Sequence, residues 1–206
     1  MVVRDARRGP GASGRVKPRL ICVGDSITAG QYVKPGEGWP FQLPSGISNR
    51  LVPFASSGQT TRIALEHFPA VQRTVSKGDV VCFQFGFNDA NRWESDRGLP
   101  RVHAQAFRWN LAELAFRAYA FGASEVVYLT TFATGRADRY NMDLVAYDEM
   151  MYRAAESSGA TMCDIRAELP EGLLQADGLH LTAAGHKVYA GVVLPVVEHA
   201  LALVAC

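Results

Sequence analysis

The strongest constraint on what this chain can fold into is an alternation. Short apolar runs, too brief to be helices, are separated by longer stretches of helical periodicity. The runs occupy residues 20–23, 51–54, 79–85 (DVVCFQF), 125–131 (EVVYLTT) and 160–165. They are rich in Val and aromatics and are bounded by glycine or polar residues, which is the pattern of strands buried on both faces. Pro53 weakens the second run. Helical segments are expected at 60–75, 102–119, 142–157 and from 182 to about 204. Gly159 is placed to stop the third of these and Thr182 to cap the fourth, while Pro69 and Pro195 are possible kinks. Strand and helix alternating in this way predict an α/β fold with a parallel sheet of five strands covered by helices. In such folds ligands bind at the carboxyl ends of the strands.

Composition sets the outer limits. With 206 residues, 48% of them hydrophobic and 20% charged, one domain can bury a core without disulfides or metals. The formal net charge of +1 gives no global field for nucleic acid or an anionic membrane. The basic residues at the start (Arg4, Arg7, Arg8, Arg15, Lys17, Arg19) lie among Gly, Pro and Ala. They read as a flexible basic tail, 1–18, ahead of a globular domain at 19–206. The start holds no apolar run of the kind a secretory signal needs. The most apolar stretch, 188–206, is interrupted by Pro195, Glu198 and His199, so a packed terminal helix is expected and not a membrane span. Cys22, Cys82 and Cys163 fall in expected strands, and no C-x-x-C pair exists. That counts against zinc and dithiol chemistry and favours a reducing, cytoplasmic setting.

Four polar blocks follow the strands or precede the last helix. Gly24-Asp25-Ser26-Ile27-Thr28-Ala29-Gly30 sets a serine at a strand-to-helix turn, where backbone N–H groups aim at its hydroxyl. Alone it reads equally well as an N-cap. Thr28 stands where a G-x-S-x-G elbow needs glycine, and no P-loop lysine follows. In Asp177-Gly178-Leu179-His180 an acid three residues before a histidine can fold back on the ring and leave Nε2 as a base. Gly86-Phe87-Asn88-Asp89 offers an amide donor, and Ser56-Ser57-Gly58-Gln59 a glycine whose N–H can approach an oxygen closely. Each of these also fits an ordinary turn or helix start.

Taken together, GDSITAG, SSGQTT, GFND and DGLHLTAAGH resemble the blocks of the GDSL esterase family, the SGNH hydrolases. The resemblance implies a three-layer α/β/α sandwich with a flavodoxin-like sheet. It implies Ser26 as nucleophile, Asp177 and His180 completing a triad, and an oxyanion hole from Ser26, Gly58 and Asn88. The chain departs from the pattern in two places. Pro53-Phe54-Ala55 lacks the asparagine usual before the second-block glycine, and Phe87 stands where smaller residues are frequent.

The function expected is hydrolysis of small acyl esters, acetyl among them, with an acylated sugar as one substrate class. No cofactor, metal, nucleic acid or membrane span is expected. Arg92 and Trp93, in the polar loop after the third strand, and Trp39 are candidate substrate contacts, since aromatic faces stack on sugars and Arg pairs with anions. Packing or solvent-facing roles fit all three equally. An acyltransferase with the same triad, a non-catalytic carbohydrate-binding module and a flavodoxin-like electron carrier remain as alternatives, because fold alone does not establish activity.

Overall fold

The computed structural model describes residues 17–205. The basic segment expected to be a tail therefore lies almost wholly outside the described residues, as does Cys206. Its last residue and the first of the domain are tied to the body. The Pro18 carbonyl accepts from the Arg50 guanidinium, and Arg19 pairs with the buried carboxylate of Asp79 at 2.6 Å. Arg19, the first residue of the expected domain, is thus anchored in it.

Five parallel strands form one sheet: β1 (Leu20–Gly24), β2 (Leu51–Ala55), β3 (Val80–Gln84), β4 (Glu125–Leu129) and β5 (Thr161–Cys163), in the order β2-β1-β3-β4-β5. β1 lies between β2 and β3, with Gly24 level with Ala55 on one side and Gln84 on the other. All residues of β1 and β3 are buried, as their unbroken apolar runs require. β2 is an edge strand, which is where Pro53 can lack a ladder donor without loss.

The long helices are α3 (Thr61–Gln72), α5 (Ala104–Ala120), α6 (Asp138–Ser158) and α8 (Ala183–Ala205); α1 (Ser26–Ala29), α2 (Ser45–Ser48), α4 (Phe87–Ala90) and α7 (Ile165–Glu168) are single turns. α3, α5 and α6 pack side by side. α8 covers β4 and β5 together with α7 and the 3₁₀ turn Trp39–Gln42, giving three layers. The caps expected at Gly159 and Thr182 are present, and Thr60, expected as the first residue of its helix, is its N-cap. Thr60 Oγ accepts from Ile63 N, Gly159 ends α6 at φ 75°, and Thr182 Oγ accepts from Gly185 N at 3.0 Å. Pro69 and Pro195 lie inside α3 and α8, and both helices run on past them. By length and composition Ala183–Val204 is apolar enough to cross a membrane; in this fold Tyr189, Val193, Val197 and Ala200 put its inner face in the core.

β4 ends two residues earlier than its apolar run. Thr131 leaves the ladder because its N–H and hydroxyl bond the buried Asp148 carboxylate, at 2.7 and 2.9 Å. Cys22 and Cys82 are neighbours across β1 and β3, and both are free, as is Cys163.

The exit of β1 leaves no room for a side chain at position 24. A Cβ on Gly24 would sit 2.4 Å from Thr28 Oγ and 2.9 Å from the Gln84 carbonyl. Gly24→Ala should therefore destabilise the fold by about 1–3 kcal/mol, the usual penalty of overpacking, read by denaturant titration. An unchanged midpoint would mean that the turn has slack.

Candidate active site

The tight exit from β1 turns the chain at once into α1, with Ser26 as its first residue. Asp25 caps the turn, its Oδ1 accepting from Ile27 N at 2.9 Å. Ser26 is only 6% exposed. Its Oγ lies 2.9 Å from His180 Nε2, and His180 Nδ1 lies 2.5 Å from Asp177 Oδ2. With Nδ1–H donating to the carboxylate, Nε2 accepts from the serine hydroxyl. Three residues that the sequence offers as nucleophile, base and acid are thus in one hydrogen-bonded line.

The acid and the base come from one turn. Asp177 Oδ1 accepts from the N–H groups of Leu179 and His180, both at 3.0 Å, while Oδ2 meets the ring. Burial pushes the Asp177 carboxyl up, but the His180 ring and these two N–H groups outweigh it and hold it at about 2. The turn is braced from outside by Gly135, whose N–H donates to the Gly178 carbonyl at 2.7 Å. The two glycines are in backbone contact, so neither position has space for a Cβ. His186, in the same block, has a different task. It is buried, and its Nδ1 accepts from Trp39 N at 3.2 Å. Burial, with the charge of His180 added, lowers it to about 4, so it stays neutral.

The other two blocks close around Ser26. Asn88, in α4, donates from Nδ2 to Asp25 Oδ2 at 3.2 Å, leaving one amide hydrogen uncommitted. Gly58 adopts φ 76° in the turn after β2, with open space where a Cβ would lie. Among the described residues its N–H has no acceptor, and its carbonyl accepts from Arg101 Nη1 at 2.9 Å. The Ser26 N–H, in the first turn of its helix, has no partner within that helix.

The candidate substrate contacts are placed elsewhere. Trp39 is 0% exposed and packs against Tyr189 at 5.4 Å between ring centroids, so it is a core residue and its indole offers no face to a ligand. Arg92 is held by Asp143 at 2.8 Å and by the Gly98 carbonyl at 2.7 Å, beside an open cavity of about 350 Å³. Trp93 is 49% exposed and lies under Arg101. None of the three contacts Ser26 or His180. The aromatic residue that does is one the sequence did not signal. Tyr32 sits edge-on to the His180 ring, 4.9 Å between centroids, and is 66% exposed. Its φ of 70° is the left-handed conformation that side chains rarely adopt, and no local pattern marks it.

Two buried acids stand behind the site. Burial lifts Asp25 to about 7 against the pull of the Ile27 N–H, and the neighbouring charge of Asp89 adds to the rise. Burial likewise lifts Asp89 to about 6, although the Thr61 hydroxyl and N–H both donate to its Oδ1. Asp89 Oδ2 is buried without a partner, which suits a protonated carboxyl better than an ionised one. No group of three or more His, Cys, Asp or Glu among the described residues is arranged to hold a metal ion.

The sequence matches the family model described as GDSL-like Lipase/Acylhydrolase over residues 22–188. Solved structures with this fold include a member of the lipolytic protein G-D-S-L family from Veillonella parvula DSM 2008. It is 19% identical with a TM-score of 0.73, covering 87% of this chain and 98% of its own. The acetylxylan esterase Axe2 from Geobacillus stearothermophilus is 20% identical with a TM-score of 0.71, covering 89% and 94%. LAE5, an alpha/beta hydrolase enzyme from the metagenome of Lake Arreo, Spain, is 22% identical with a TM-score of 0.71, covering 91% and 96%. At these identities the likeness is one of fold. No curated protein matches the sequence.

The raised acids set a direction for stability against pH. A carboxyl whose folded value lies above its unfolded one keeps its proton in the fold, so its contribution is full at low pH and is lost as pH rises through the folded value. For Asp89 the loss runs from about 4, the usual carboxylate value, to about 6. Asp89→Asn keeps the shape and cannot ionise. Melting temperatures of the variant should fall less steeply between about pH 4 and 7 than those of the parent. Parallel curves would show that Asp89 does not titrate there.

Proposed function

Because the chain belongs to the GDSL-like lipase and acylhydrolase family, and is thus a carboxylic ester hydrolase, we propose that Ser26 is its nucleophile, His180 its base and Asp177 the acid that orients the base. The observation that carries this reading is the unbroken line from Ser26 Oγ through the His180 ring to Asp177. His180 Nε2 takes the hydroxyl proton as Ser26 Oγ bonds to the ester carbonyl carbon. The carbonyl oxygen becomes an oxyanion, received by the N–H groups of Ser26 and Gly58 and by the free amide hydrogen of Asn88. Collapse breaks the ester C–O bond, and the imidazolium returns its proton to the leaving alcohol. Water, deprotonated by His180, then hydrolyses the acyl-enzyme. Asp177, ionised from about pH 2 upward, stabilises the imidazolium in both halves.

The acyl group proposed is short, with acetyl first, and its carrier is a sugar. Likeness to an acetylxylan esterase supports this. So does Tyr32, whose exposed ring beside His180 offers a flat face at the mouth of the site.

Ser26→Ala should abolish hydrolysis of p-nitrophenyl acetate; retained activity would remove Ser26 from the mechanism. Asn88→Ala should lower kcat by about 10²–10³, the usual loss for one oxyanion donor. A panel of p-nitrophenyl esters should show kcat/KM highest for acetyl and falling with chain length. A preference for long chains would overturn the short-acyl assignment and leave the triad standing.

A further inference from the structure

From sequence, Arg92 and Trp93 are candidate substrate contacts in the polar loop after the third strand, and a solvent-facing role fits them equally. In the fold, Arg92 and Arg101 bond to the protein itself, and Trp93 packs against Arg101. The loop is pinched at its base by an antiparallel bridge between Arg92 and Pro100, and braced by Arg92 on Asp143 and on the Gly98 carbonyl. So held, Trp93 lies under the Arg101 guanidinium, 4.5 Å from ring centroid to carbon. Arg101 Nη1 then donates to the Gly58 carbonyl at 2.9 Å.

We propose that Arg101, held by Trp93, is a positioning residue that keeps the Gly58 N–H aimed at the oxyanion. The inference rests on the oxyanion role given to Gly58 above.

Three observations support it. First, among the described residues no other hydrogen bond reaches Gly58 itself, although Ser56 Oγ donates to Gln59 Oε1 and Ser57 Oγ to Gln31 Oε1 in the same turn. Its conformation is open to glycine's full freedom, nothing lies within 4 Å on the side where a Cβ would point, and the turn it sits in closes with a long bond, Gln59 N to Ser56 O at 3.3 Å. A charge-assisted bond from a guanidinium is the stronger restraint. Second, Arg101 is anchored to the loop that carries the other donor. Its N–H bonds the Asn91 carbonyl at 3.0 Å, and the next N–H, that of Val102, bonds the Asp89 carbonyl at 3.1 Å; both carbonyls lie within three residues after Asn88. One residue thereby spans the two loops whose spacing an oxyanion hole must fix in advance. Third, Trp93 covers one face of the guanidinium, which restrains the swing of the Arg101 side chain.

The test compares Arg101→Gln, Arg101→Lys, Trp93→Leu and the Arg101→Gln/Trp93→Leu pair on p-nitrophenyl acetate. Each is also labelled with a fluorophosphonate, whose phosphoryl oxygen enters the same hole. Arg101→Gln should lower kcat about ten- to a hundred-fold, less than outright loss of a donor, with KM within about two-fold of the parent. Labelling should slow in parallel. Arg101→Lys, which can still donate to the Gly58 carbonyl, should recover most of the rate. Trp93→Leu should cost about three- to ten-fold alone and add little to Arg101→Gln, since both act through one bond. An Arg101→Gln kcat within two-fold of the parent overturns the inference, as does a loss confined to KM. Should Arg101→Gln be too unstable to assay, an unchanged kcat in Trp93→Leu overturns it. If Ser26→Ala is dead and Asn88→Ala impaired while these variants behave as the parent, only this inference falls. If Ser26→Ala is active, the catalytic assignment falls first.

Discussion

The residues proposed for catalysis gather where the winding of the sheet reverses. From β1 the chain crosses to one side to form β2, and from β2 it crosses back over β1 to form β3. The loops leaving β1 and β3 therefore diverge, and a crevice opens at the carboxyl ends of these central strands. Ser26 leaves β1 and Asn88 leaves β3, while Gly58 follows the adjacent edge strand. Only His180 and Asp177 arrive from outside this trio, carried on the turn that leads into α8. Strand order, more than any single side chain, decides that these groups share one rim.

Within that rim the polar groups hold one another. Asp25 ties Asn88 to the turn that bears Ser26, Asp89 ties α4 to the start of α3, and Arg101 ties the same region to Gly58. Two of these ties use carboxyls fully buried beside each other, and that burial raises both above the ordinary carboxylate range. Such groups cost stability unless well bonded. Asp89 Oδ2 and Gln84 Nε2 remain without partners, so the site is held rigid at the expense of some buried polarity.

Much of this was legible in the sequence where the physics is local. Apolar runs of strand length announced all five strands, and helix caps at Thr60, Gly159 and Thr182 depend on neighbours a few residues away. The meeting of Asp177 and His180 was legible for the same reason, since one turn suffices to join residues three apart. Errors arose where a distant partner decides. Trp39 reads alike as core or cleft until Tyr189 on α8 closes over it. Arg92 looks free until Asp143, on α6, neutralises it. Thr131 looks like strand until Asp148 draws it out of the ladder. Tyr32 is the hardest case, because its backbone conformation is imposed by tertiary context against its own preference.

The separation of 154 residues between Ser26 and His180 has a consequence for the chain as it is made. Synthesis runs from the amino end, so the hydroxyl and its surrounding N–H groups emerge early and the imidazole late. A nascent chain carries Ser26 with nothing to take its proton. On the roles proposed for these residues, the site is complete only once the turn holding Asp177 and His180, which Gly135 braces, has been made and folded.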